Sequence, residues 1–298
     1  MSHHPDTASD GALARFARTY GWRAYAIPVL IVVTALVIWS IVNTPSGETI
    51  GASDRAPGQV EEQEQETRKT VAPMPEGEVA ITELPPGGPY TENGTGTFRP
   101  VGAPGMNVGK GEEQVIRFST EVEDGIDTSR FGGDDSFATM VDTTLSDPRG
   151  WTNDPGVRFE HVSASDEPDL RIQLASVGTA RELCGYDLGL ETSCRLFSEE
   201  HGDRVLINES RWVRGAAPFN GDLGSYRQYV INHEVGHALG YAAHEPCPTN
   251  GELAPIMMQQ TLSLNNAELL RVAPSEVYPD NADTCLANPW PYPRPAAL

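Results

Sequence analysis

The run YVINHEVGHALG (229–240) sets two histidines and a glutamate among apolar residues. Polar groups of this kind are costly to bury unless the fold supplies partners for them. The pattern predicts a helix over 223–239: Asp222 can accept from its first free N–H groups, and Gly240 can end it. Histidines four positions apart lie about 40° from each other around a helix, so His233 and His237 project from one face. Two imidazoles so placed can share Zn²⁺ at about 2.0–2.1 Å. Glu234 falls beside such an ion, where a carboxylate can take a proton from water and pass it to a leaving amine.

H-E-x-x-H alone is short enough to occur by chance on a structural helix. Three neighbours narrow the reading. Gly240 follows His237 by three residues, where the chain must turn back. His244 comes after that turn, within reach of the same ion. Ala254-Pro255-Ile256-Met257-Met258 can pass beneath the site as a methionine turn, with Met257 the candidate, although a methionine pair also serves as plain core.

HEVGHALGYAAH followed by APIMM resembles the metzincin clan of zinc metallopeptidases. LSDPRGW, VRFEHV and PDLRIQLAS resemble the helix–strand–strand order before the zinc helix in matrix-metalloprotease-like domains. More closely, LCGYD, SCR, INESRWVRGA, APIMMQQT and the terminal NPWPYP resemble an uncharacterised actinobacterial family of exported metallopeptidase-like proteins. The resemblance covers most of 94–293 and implies a metzincin-like zincin domain holding zinc. The metzincin pattern would put its third histidine at position 243, which is Ala243; the histidine is His244. A bulge in the turn can absorb one residue. If His244 missed the metal, Glu245 or Glu268 could complete a two-His, one-carboxylate site. Tyr226, Tyr229 and Tyr241 flank the motif as structural or oxyanion-binding groups, and His161 and His201 lack ligand spacing.

The rest of the chain divides by composition. Residues 1–24 are polar with Arg15, Arg18 and Arg23, and read as a cytoplasmic tail. Residues 25–42 contain the uncharged run AIPVLIVVTALVIWSIV, about 26 Å long as a helix and just able to cross a bilayer. The basic flank precedes it, which predicts an uncleaved single-pass anchor with the remainder outside the cell; a cleaved signal peptide is the rival. Residues 43–89, rich in Pro, Gly and Glu and lacking aromatics before Tyr90, read as a disordered linker. Residues 90–298 form the expected extracytoplasmic domain. With 42 acidic against 21 basic side chains, net −21, the protein is no general nucleic-acid binder.

Four cysteines on the exported side favour disulfides, and no C-x-x-C spacing suggests metal ligation. The sequence-local pairing is Cys184–Cys194 with Cys247–Cys285. Period-2 alternation predicts a strand at Gln114–Glu123, VRFEHV (157–162) and LRIQL (170–174) read as strands with 204–207 a short fourth, and helical spacing predicts a helix over 137–145 that stops at Asp147-Pro148. The expected fold class is α+β, a twisted mixed sheet packed on the histidine-bearing helix. The expected protein is therefore a membrane-anchored zinc peptidase acting on peptide or protein at the cell envelope. His233, His237 and His244 would be ligands and Glu234 the general base. A zinc-binding domain without activity and a cell-wall peptide amidase are the alternatives.

Overall fold

Alternation in QVIRFSTEVE predicts a strand with one wet face, yet the last six residues of the strand Gln114–Glu123 are all buried. Its position explains the difference. The computed structural model describes residues 83–185 and 192–294, together with Thr34, and places this strand at the centre of a sheet. In chain order the described strands are β1 (Phe98–Pro100), β2 (Asn107–Gly109), β3 (Gln114–Glu123), β4 (Val157–His161), β5 (Leu170–Ala175), β6 (Cys194–Ser198) and β7 (Gly202–Asn208). They form a seven-stranded sheet in the order β2-β4-β3-β5-β7-β6, with β1 added to the end of β3. The β3–β4, β3–β5 and β5–β7 pairs are parallel. The outer pairs β1–β3, β2–β4 and β6–β7 are antiparallel. A parallel centre is covered on both faces, so its strands lose their polar side.

Five α-helices lie among the described residues: α1 (Asp134–Ser146), α2 (Val177–Cys184), α3 (Glu209–Arg214), α4 (Leu223–Ala238) and α5 (Asn266–Val272). This is a mixed sheet with packed helices, in keeping with α+β. Helix α1 buries Phe137, Ala138, Val141 and Leu145, one stripe at helical spacing. Phe137 meets Trp212 of α3 edge-on at 5.0 Å. Phe118, Val122, Ile172 and Leu174 of the sheet and Tyr229, Val230 and Val235 of α4 complete the main core.

A second, smaller cluster gathers Cys247, Ala254, Met258, Leu262, Leu269, Tyr278 and Cys285. Cysteines pair as Cys184–Cys194 and Cys247–Cys285, the sequence-local connectivity. The first joins the end of α2 to the start of β6; the second staples the small cluster. His161 is buried between Asp142 Oδ1, 2.9 Å from its Nδ1, and Thr120 Oγ1, 3.2 Å from its Nε2. It is a core residue. His201 is exposed in the turn before β7.

The expected tail 1–24, the anchor 25–42 and the linker as far as residue 82 lie outside the described residues. No helix among the described residues is long and apolar enough to cross a membrane. Before β1 the chain is already tied down: Gly88 O accepts from Arg214 Nε at 2.9 Å, and Thr91 N donates to Glu209 Oε2 at 2.8 Å.

Glu123, fully buried, joins three segments. Its carboxylate accepts from Gly96 N at 2.8 Å, Ser176 N at 2.7 Å and Thr179 Oγ1 at 2.6 Å, the last two at the start of α2. An anion at a helix N-terminus is favoured, and three donors would be orphaned by its loss. Glu123→Ala is expected to destabilise the fold by about 3 kcal/mol or more, and Glu123→Gln by less. Urea denaturation measures both, and an unchanged midpoint in the alanine variant would contradict this account.

Candidate metal centre

Helix α4 begins where Asp222 accepts from Ser225 N at 3.0 Å, as its sequence predicts. Every residue from Tyr229 to Gly236 is buried. That burial follows from the elements packed around the helix, α1 and strands β6 and β7, and it carries His233 and Glu234 into the interior. The helix ends at Ala238, and two residues on Gly240 adopts φ 105°, a conformation that glycine enters without a Cβ penalty. Tyr241 N then donates to Gly236 O at 3.1 Å and Ala242 N to Gly240 O at 2.9 Å. This tight turn returns His244 toward the helix.

The result is a triangle of imidazoles. Ring centroids are 4.9 Å apart for His233–His237, 5.4 Å for His233–His244 and 5.3 Å for His237–His244. One ligand atom from each lies within 4.8 Å of the others, a spacing that could hold a metal ion. Glu245 and Glu268 are not in this group: Glu245 is exposed and Glu268 accepts from Ser263 Oγ.

Each ring is oriented by an oxygen on its other nitrogen. His233 Nδ1 is 2.9 Å from Ile256 O, His237 Nδ1 2.8 Å from Tyr241 O, and His244 Nδ1 3.2 Å from Glu276 Oε2. An acceptor at Nδ1 keeps the proton there and leaves Nε2 with its lone pair, the form a metal requires. Nε2 of His233 is buried with no hydrogen-bond partner. An unsatisfied buried acceptor costs about 1–3 kcal/mol, and a cation is the partner this donor set fits.

Electrostatics agree. Burial, followed by the neighbouring His237 and His244, holds the His233 imidazole well below the usual histidine range. Burial likewise depresses His237. Both rings therefore stay neutral and able to ligate. Burial pushes the Glu234 carboxyl up to about 8; a divalent cation beside it would draw that value back down. The histidines and Glu234 share a cleft of about 320 Å³, also lined by Ser193, Cys194, Arg195, Ala242 and Gln259.

The turn after the helix is held from below. Ile256 supplies the carbonyl for His233, and Met257 packs under Gly236, where a Cβ would come within 2.6 Å of the Met257 sulfur and 2.7 Å of the Trp151 ring. Glycine is needed at that helix position for the approach. Met258 instead belongs to the small cluster. Tyr226 and Tyr229 are structural: both are buried, and Tyr229 donates to Met258 O at 2.9 Å. Tyr241 is exposed and stacks on Trp151 at 4.8 Å. Sequence reading missed Trp151, Arg195 and Glu276, because none stands near the motif in the chain.

A family model described as "Protein of unknown function (DUF3152)" matches residues 84–293. No curated protein and no solved structure matches the chain.

Two outcomes are expected of the centre. His244→Ala should weaken metal binding strongly, since two histidines leave an ion largely hydrated, while Glu268→Gln changes little; metal titration of each variant checks this. In the metal-free protein, Glu234 holds a proton up to about pH 8 that the unfolded chain releases near 4.5, so its penalty grows across that window and is complete above it. Glu234→Gln should thus stabilise the metal-free fold by on the order of 3 kcal/mol above about pH 8 and hardly at all near pH 4–5. Denaturant titration at both ends of that range, with an equal gain at each, would disprove it.

Proposed function

The chain belongs to the DUF3152 family, and we propose that it is a zinc-dependent peptidase acting outside the cell membrane. The observation that carries the reading is the buried, partnerless Nε2 of His233 facing two further imidazoles in a cleft that also holds Glu234. Three nitrogen ligands suit zinc and leave one position open, the arrangement of catalytic rather than structural sites. When bound, zinc supplies Lewis acidity, which polarises a carbonyl oxygen and acidifies water.

The chain's own residues supply the remainder. His233, His237 and His244 hold the ion, with Ile256 O, Tyr241 O and Glu276 keeping each ring in the ligating tautomer. Glu234 takes the proton from the attacking water and delivers it to the leaving amine. A carboxyl lifted by burial holds that proton well enough to return it. A metzincin-like identity is supported by the methionine under the helix and the sheet beside it. Export is supported by the two disulfides, which persist in oxidising surroundings, and by the apolar run at 25–42.

The test uses the full-length chain against an unstructured protein and against purified cell wall, with and without chelator. Cleavage of the protein substrate, abolished by chelator and restored by zinc, is the expected result; release from cell wall alone would favour an amidase. Glu234→Gln should keep its zinc and lose about 10²–10⁴-fold in turnover. Full activity in that variant ends the proposed mechanism.

A further inference from the structure

The third histidine is the one its own secondary structure supports least. His233 and His237 stand on a rigid helix and lean on backbone carbonyls. His244 lies in a loop without regular structure. The acceptor at its Nδ1 is a carboxylate oxygen, Glu276 Oε2 at 3.2 Å, 32 residues further along the chain. Glu276 is itself well placed. Its N–H donates to Ala273 O at 3.0 Å just after α5. Two residues on, Tyr278 is buried in the small cluster, and its hydroxyl accepts from Gln259 N at 3.1 Å. The segment bearing Glu276 is therefore docked against the same turn that carries Ile256 and Met257.

Resting on the metal reading above, we infer that Glu276 is a positioning residue of the metal centre. Its carboxylate fixes the ring of His244 so that Nε2 joins the other two donors, and its charge strengthens that imidazole as a ligand. The bond explains how a histidine displaced by one residue from the metzincin spacing still reaches the group: a remote carboxylate, and not the turn alone, sets its orientation. Partners of this kind change metal affinity by about 10–100-fold. Glu276 has a side chain 39% exposed, so solvent screening puts the expected effect near the lower end, about 10-fold.

The experiment measures zinc affinity of the full-length chain by competition with a chromogenic chelator, and the visible spectrum of the cobalt-substituted form. Glu276→Ala should weaken zinc by about 10-fold and alter the cobalt spectrum. Glu276→Gln, which keeps an acceptor without the charge, should lose less. Glu245→Gln removes a neighbouring exposed charge that does not touch the ring, and should leave affinity unchanged. Melting temperatures of the metal-free variants should match the wild type. Zinc affinity of Glu276→Ala within about twofold of wild type, against the usual loss for such partners, overturns the inference. So does a loss matched by a fall in metal-free stability. If the wild-type chain binds no zinc, the metal reading itself falls, a result distinct from either.

Discussion

The hydrogen bond between His233 Nδ1 and Ile256 O is the contact on which the rest of the centre depends. It joins the buried middle of α4 to the turn beneath it, and it decides which nitrogen of His233 keeps its lone pair. Around it the packing leaves little freedom. Met257 and Trp151 close on Gly236, Trp151 Nε1 donates to Asn232 O at 2.9 Å, and Asn232 Nδ2 donates to Pro289 O at 2.8 Å. A helix carrying an imidazole and a carboxyl into the interior is thus clamped from the strand side, the turn side and the C-terminal segment. Rigidity of this kind is what a ligand set needs, since small displacements of a donor weaken a metal site.

What the sequence made legible was whatever repeats locally. Helix α4 could be read because its cap, its apolar run and its terminal glycine all lie within twenty residues. Strands β3, β4 and β5 could be read because polar and apolar residues alternate along them for several positions, and β7 from its short apolar run at 205–207. Strands β1 and β2 have three residues each, too few to show a period. In β6 the large exposed side chain is Phe197, so its hydrophobic pattern misleads. Helices α2, α3 and α5 span eight, six and seven residues, and are held by side-chain caps and tertiary packing more than by propensity.

The same distinction separates the parts of the site. His233, Glu234 and His237 are fixed by helical geometry, and their relation is visible in five letters. His244 is one residue away from the expected spacing, and its place beside the other two rings is visible only in the folded turn after Gly240 and the contact with Glu276. Glu276 has no local signature at all: an isolated acidic residue in an acidic chain acquires meaning from a contact 32 residues away. Burial raised the half-wet strand Gln114–Glu123 to a central one for a related reason, since its neighbours come from distant parts of the chain.

The methionine pair straddles two cores. Ile256 and Met257 pack with the sheet and α4, while Met258 packs with the disulfide-stapled cluster of Cys247, Leu269 and Tyr278. The main core therefore carries two histidines of the triad, and the small cluster steadies the loop and the carboxylate that bring the third. Such clusters commonly open as separate cooperative units, below the free energy of global unfolding. Opening of the smaller one would detach a histidine from the triad while the seven-stranded sheet stayed intact, making the staple at Cys247–Cys285 a guardian of the triad's geometry more than of the fold.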